Sequence, residues 1–229
     1  MLITQAHLTQ NDCYRAAKPL TPRGIMVHST AVPGAMAASF LKSWNTAKPG
    51  GKSVCVHAFI DNTGVYQTLP WLTRGWHCGS GPRGSGNDTH IGFEICEPKN
   101  LSDRDYFAAV WEKSASLCAF LCRSFGLTAD SVICHSEGHR LGIASNHADV
   151  THWFPKHGRT MEDFRNEVKK EMEKQIPDNT PDTYARTAVE KAVAKGILRG
   201  DDRGNLNLHA PVTRQDLMVI LERCGVLEK

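Results

Sequence analysis

Eleven histidines in 229 residues is a high count, and several sit where metal chemistry would need them. His28 closes the apolar run GIMVH, His57 lies within VCVHAF, and His135 closes SVICH. His147, Asp149 and His152 follow in the loop NHADVTHWFP. A catalytic zinc ion needs three protein ligands and an open position, and two histidines with one carboxylate from separate segments meet that need. A lone histidine near a strand is more often an ordinary polar group with a satisfied hydrogen bond; two at strand ends with an aspartate in a nearby loop bring the two roles level, and spacing alone leaves both open. HSEGH (135–139) places two histidines at i, i+4, superficially like a metalloprotease helix, but HExxH is absent. Gly138 and the following RLGIAS argue against a helix there.

Positioning such groups takes a sheet. GIMVHST reads as a buried strand, SVCVHAFID and GVYQTLP as strands joined by the turn at 61–64, and HIGFEICE as another strand. SVICHSEG reads as a last short strand running into a loop. MAASFLKSWNTA and DYFAAVWEKSASLCAFLCRSFG carry helical periodicity, the second stopped by Gly126. TMEDFRNEVKKEMEKQ is a charged amphipathic helix. Strands interleaved with helices predict an α/β (α+β) domain, a central mixed β-sheet flanked by helices, over 1–175. IPDNTPDT then supplies linker chemistry, placed at 176–180. Residues 181–229 predict a small helix–loop–helix, whose second helix opens on a capping box from Thr213 to Asp216.

The chain carries 27 Lys+Arg against 24 Asp+Glu and is 41% hydrophobic. That balance excludes collagen, coiled coil and wholesale disorder. A net charge of +3, with charges interspersed, gives no footprint for nucleic acid. No run approaches the roughly 18 apolar residues of a membrane span. The start, MLITQAHLTQNDCYR, lacks a basic stretch followed by an apolar one, so no signal peptide is expected and synthesis is expected to be cytoplasmic. Eight cysteines are present without a CxxC pair. A reducing compartment predicts free thiols, with Cys118 and Cys122 packed inside a helix.

The ordered series MVHST (26–30), VHAFIDNTGVYQTLP (56–70), GWHCG (75–79), NDTHIGFEICEP (87–98), ICHSEG (133–138) and HADVTHWFP (147–155) resembles the zinc-dependent N-acetylmuramoyl-L-alanine amidases of the amidase type 2 group. That group also holds the peptidoglycan recognition proteins. The resemblance covers about residues 20–165. It implies one zinc ion held by His28, His135 and Asp149, the last standing where the family has Cys or Asp. It implies Glu94 as the catalytic carboxylate. The family often carries Lys two residues before the third ligand; here the place belongs to His147, which would hydrogen-bond substrate or oxyanion. A family variant using Tyr is not expected, because Val56 occupies that place. His57 is expected to line the cleft. Trp76, with Trp71 and the loop GSGPRGSGN (79–87), is a further candidate for contact with glycan or peptide. His139, His152 and His157 are expected to lie outside the ligand set.

The tail, YARTAVEKAVAKGILRGDDRGNLNLHAPVTRQDLMVIL, is similar to an S-layer homology repeat. That implies binding to a secondary cell-wall polymer, or a docking or homodimer role for 181–229. Together the two resemblances imply an enzyme that cleaves the bond between N-acetylmuramic acid and L-alanine, as a phage endolysin or bacterial autolysin acting on the wall after release. The alternatives are a non-catalytic peptidoglycan-binding module and a zinc peptidase acting on the stem peptide.

Overall fold

The computed structural model describes residues 2–174, 178–201 and 204–227. It divides into two compact units, Met1–Glu173 and Lys174–Lys229. Positions 176 and 177 of the expected linker lie outside the described residues.

The first unit is built on six strands: β1 (Ile3–Gln5), β2 (Gly24–Ser29), β3 (Ala58–Ile60), β4 (Val65–Gln67), β5 (His90–Ile95) and β6 (Val132–Cys134). Their order in the sheet is β1-β4-β3-β5-β2-β6. Only β3 and β4 pair antiparallel, across the Asp61–Gly64 turn; the other ladders are parallel. The expected mixed sheet is therefore present, with an additional edge strand, β1, and a short helix α1 (Asp12–Ala16) that the sequence reading lacked. Both are too short to show a period.

Alternation along the strands assigns the faces. Ile25 and Val27 of β2, and Ile91, Phe93 and Ile95 of β5, join the main core with α3 (Arg104–Phe125) and α5 (Met161–Glu173). The neighbouring positions Met26, His28, Gly92 and Glu94 take the opposite face. Helix α3 starts on Asp103, whose carboxylate accepts from Tyr106 N at 3.0 Å, and stops at Gly126 with φ of 64°. Cys118 and Cys122 are buried on it, as expected. Trp111 of α3 meets Phe164 of α5 edge-on at 5.1 Å. Beyond the other face, α2 (Ala37–Ser43) stacks Phe40 on Phe59 of β3 at 4.9 Å.

Two expectations need correction. Cys13 and Cys55 form a disulfide bridge, so not every thiol is free. Helix α1 carries Cys13, and the bridge pairing of Cys55 with Trp76 carries its partner; the 42-residue separation gave no local cue. Second, HSEGH is helical: α4 runs His135–Arg140 directly after β6. Glu137 accepts from Cys134 N at 3.0 Å and caps the start. Gly138 is there for contact rather than as a breaker, because a Cβ would come within 2.7 Å of the Met26 methyl.

The second unit contains α6 (Arg186–Ala194) and α7 (Arg214–Arg223). The Thr213–Asp216 capping box forms as expected, each side chain accepting from the other's backbone N–H at 3.1 Å. Asp178 clamps His209 through backbone and ring, at 2.6 and 2.7 Å. Neither helix holds a fully buried residue. Among the described residues no helix is long and apolar enough to cross a membrane.

Candidate metal centre

His28 projects from the carboxyl end of β2, and His135 is the first residue after β6. The two strands are hydrogen-bonded neighbours, so the sheet itself sets the rings side by side. Asp149 arrives from the loop after α4. Its position is fixed on the C-terminal side by Val150, a buried residue at φ of 39°, a conformation that β-branched residues seldom adopt. Val150 N donates to Ser29 Oγ at 3.3 Å, and Trp153 and Phe154 anchor the following turn in the core.

The three groups converge. Asp149 Oδ2 lies 2.8 Å from His28 Nδ1 and 2.9 Å from His135 Nδ1, and the two nitrogens are 3.1 Å apart. His28 and His135 are 1% and 4% exposed, and the Asp149 side chain 13%. This is a triangle of donor atoms that could hold a metal ion. Burial lowers the pKa of His28 against the pull of Asp149, which favours the neutral ring. Burial also opposes charge on Asp149, but the nearness of His135 and His28 outweighs it and holds the carboxyl well below the usual range. Neutral imidazole and ionised carboxylate are the protonation states that ligation requires.

Glu94 stands in register with His28 across the β2–β5 ladder. Its Oε2 is buried and has no hydrogen-bond partner among the described residues. Burial pushes its carboxyl well above the ordinary value, reinforced by Asp149 and Glu97. A carboxyl beside a ligand cluster, with one oxygen unengaged and a raised proton affinity, is equipped to take and return a proton.

The family model described as N-acetylmuramoyl-L-alanine amidase matches residues 18–155. The chain belongs to that family. All three donor residues and Glu94 fall inside the matched stretch. A second model, the S-layer homology domain, matches residues 178–218. The N-acetylmuramoyl-L-alanine amidase CwlH of Bacillus subtilis (strain 168) is 37% identical over 114 residues, covering 48% of this chain and 40% of its own length. XlyA of the same organism, also named an N-acetylmuramoyl-L-alanine amidase, is 42% identical over 88 residues, covering 36% of this chain and 27% of its own. The chain thus spans less than half the length of these curated relatives. The solved catalytic domain of XlyA superimposes with a TM-score of 0.57 at 28% identity, over 73% of this chain and 99% of that one. The Staphylococcus aureus hydrolase AmiA shares the fold, with a TM-score of 0.62 at 22% identity, over 75% of this chain and 83% of that one.

Other residues singled out from the sequence divide by location. In this amidase-family domain His147 is exposed, its ring 4.8 Å from that of His135, which sets it at the open side of the cluster. His57 is 0% exposed, its Nε2 donating to Thr73 O at 2.7 Å and its Nδ1 accepting from Gly92 N at 3.1 Å. The cleft-lining role expected of it sits at odds with this burial, since both ring nitrogens are taken up by Thr73 and by Gly92 of β5. Trp76 packs with the Cys13–Cys55 bridge and is covered by the Arg74 guanidinium at 4.2 Å. Trp71 stacks on His57. His139 bonds to Ala144 O, His157 to Leu101 O, and His152 to the buried Glu97 at 2.8 Å. None of these three belongs to the donor cluster. The sequence reading missed His77, whose Nδ1 lies 3.0 Å from His28 Nε2. It stood in GWHCG with no period or spacing relating it to a ligand.

Proposed function

We propose that the chain is a zinc-dependent amidase that hydrolyses the bond between the lactyl group of N-acetylmuramic acid and L-alanine in bacterial peptidoglycan. The carrying observation is the convergence of His28, His135 and Asp149 beside Glu94 inside the family-matched stretch. Zinc fits this donor set. Ligands at about 2.0–2.1 Å around a tetrahedral ion stand about 3.3 Å apart, and the triangle's edges of 2.8, 2.9 and 3.1 Å need little expansion. Two imidazoles and a carboxylate also match zinc's borderline preference.

Zinc held there supplies Lewis acidity and brings the pKa of a water toward neutrality. Glu94 takes the proton of the attacking water and delivers it to the amine nitrogen of L-alanine as the amide bond breaks. His147, exposed beside His135, hydrogen-bonds the oxygen on which negative charge develops.

The layout proposed is a catalytic domain over 1–175 and a wall-binding module over 181–229 that engages a secondary cell-wall polymer, with synthesis in the cytoplasm and action on the wall as an endolysin or autolysin. The match of 178–218 to the S-layer homology domain supports the second part. Digestion of purified peptidoglycan by the full chain tests the activity. New N-terminal L-alanine on intact stem peptides is the expected product. Free amino groups elsewhere in the stem would make it a peptidase, and no product from zinc-loaded protein would make it a binding module.

A further inference from the structure

The two histidine ligands present the same atom, Nδ1, to the cluster, and the structure shows what makes them do so. His77 Nε2 lies 3.2 Å from His90 O. A carbonyl oxygen only accepts, so the proton of His77 sits on Nε2 and its Nδ1 is a bare acceptor. That acceptor lies 3.0 Å from His28 Nε2. His28 must therefore carry its proton on Nε2, and its Nδ1 is left as a lone pair aimed at His135 and Asp149. The second ligand is treated likewise. Ser145 Oγ donates to Cys78 O at 3.2 Å and stands 3.2 Å from His135 Nε2, which donates to it. Both outer contacts trace to adjacent residues, 77 and 78, of one loop. Asn87 holds that loop: its Oδ1 accepts from His77 N at 2.8 Å and Cys78 N at 3.2 Å, and its Nδ2 donates to Gly79 O at 3.1 Å.

The sheet is shaped to receive the His77 ring. Gly92 lies in the interior of β5, where glycine is normally a weakness. A Cβ there would stand 2.4 Å from His77 Cγ and Nδ1. The strand has no side chain where this ring packs against it.

We propose that His77 is a positioning residue for the metal ligand His28: by accepting from Nε2–H it fixes the tautomer and rotamer that turn Nδ1 to the ion. His77 touches neither ion nor substrate. The inference rests on the reading of His28, His135 and Asp149 as a zinc site. Outer partners of this kind are typically worth about ten- to hundredfold in metal affinity.

The test uses the full chain and two readouts besides activity. Zinc affinity is measured by competition with a chromophoric chelator for wild type, His77→Phe and His77→Gln. Long-range ¹H–¹⁵N spectra of the histidine rings are recorded on zinc-loaded wild type. His77→Phe keeps a ring against Gly92 without an acceptor, and zinc binding should weaken about ten- to hundredfold. His77→Gln restores an acceptor oxygen and should recover part of the loss. The wild-type spectrum should show His28 and His77 both protonated on Nε2. Wild-type affinity in a folded His77→Phe, or a proton on His77 Nδ1, overturns the proposal. If His77→Phe does not fold, the wild-type spectrum and His77→Gln decide alone. Wild type that binds no zinc overturns instead the metal-site reading on which the proposal rests.

Discussion

His28 and Glu94 are partners in the parallel ladder between β2 and β5, in register and on the same face of the sheet. A ligand and the group that would manage the proton are thus held by backbone pairing, not by loops. Electrostatic roles that depend on a fixed distance gain most from such rigidity. Glu94→Gln keeps shape and burial but removes the titrating oxygen. Hydrolysis should fall about a hundred- to ten-thousandfold, while zinc content by elemental analysis and thermal unfolding stay close to wild type. Retained activity would take Glu94 out of the mechanism.

Asp149 is the one carboxylate of the cluster, its Oδ2 2.8 and 2.9 Å from the two Nδ1 atoms. Asp149→Ala should leave protein that emerges from dialysis with far less zinc than wild type. Chelation of wild type should abolish hydrolysis and lower the melting temperature, because free zinc at a hundredfold its Kd adds about 2.7 kcal/mol to folding. Re-addition of zinc should reverse both effects in wild type. In Asp149→Ala it should restore neither, and full restoration there would remove Asp149 from the ligand set.

The Cys13–Cys55 bridge closes a loop across a separation of 42 residues. In the chain-entropy picture such a closure contributes about 4 kcal/mol. Denaturant titration with and without reductant should show a loss of that order, matched by the Cys13→Ser, Cys55→Ser double variant. Coincident curves would show that the bridge contributes nothing to stability.

His57 supplies a pH dependence whose sign can be worked out. Burial lowers its pKa to about 4 from an ordinary 6.5, despite the bonds to Thr73 and Gly92. The unfolded chain therefore binds one more proton than the folded one between these values. Stability is fully present above pH 6.5 and is lost as pH falls toward 4, by roughly 3 kcal/mol at 1.36 kcal/mol per unit. The stability difference between wild type and His57→Asn, measured from pH 7.5 to 4, should move by that amount. A difference flat with pH would show that His57 titrates normally.

Deleting 181–229 should weaken retention on whole cell walls and leave cleavage of a soluble muropeptide intact. Sedimentation of the two forms with wall fragments, and of each alone, separates wall binding from self-association. Equal retention of both forms would end the anchoring role.

Much of the first unit was legible from its longest strands and helices, β2, β5 and α3. GIMVHS and HIGFEI are runs buried on both faces, and α3 holds helical spacing for six turns. Strand ends and a marked loop made His28, His135 and Asp149 candidates, but their choice as the ligand set came from the family resemblance. Glu94 needed the family resemblance, since a lone acid in an apolar strand has no signature of its own. What escaped was decided in three dimensions. Gly138 read as a breaker, and its purpose appears only beside Met26. His57 was expected in the cleft from the family resemblance, and its burial appears only in the structure. His77 became visible only once Gly92 had made room for it.

The donor atoms come from far apart: 121 residues separate His28 from Asp149 and 107 separate it from His135. No local segment of this chain carries the pocket, so a half-made chain has nothing with which to hold the ion. The site closes only after β2 has found β6 and the chain beyond α4 has returned. An ion bound as proposed would thereby report that the longest loops of the fold have shut. The same distances would make a bound ion a check on the finished molecule.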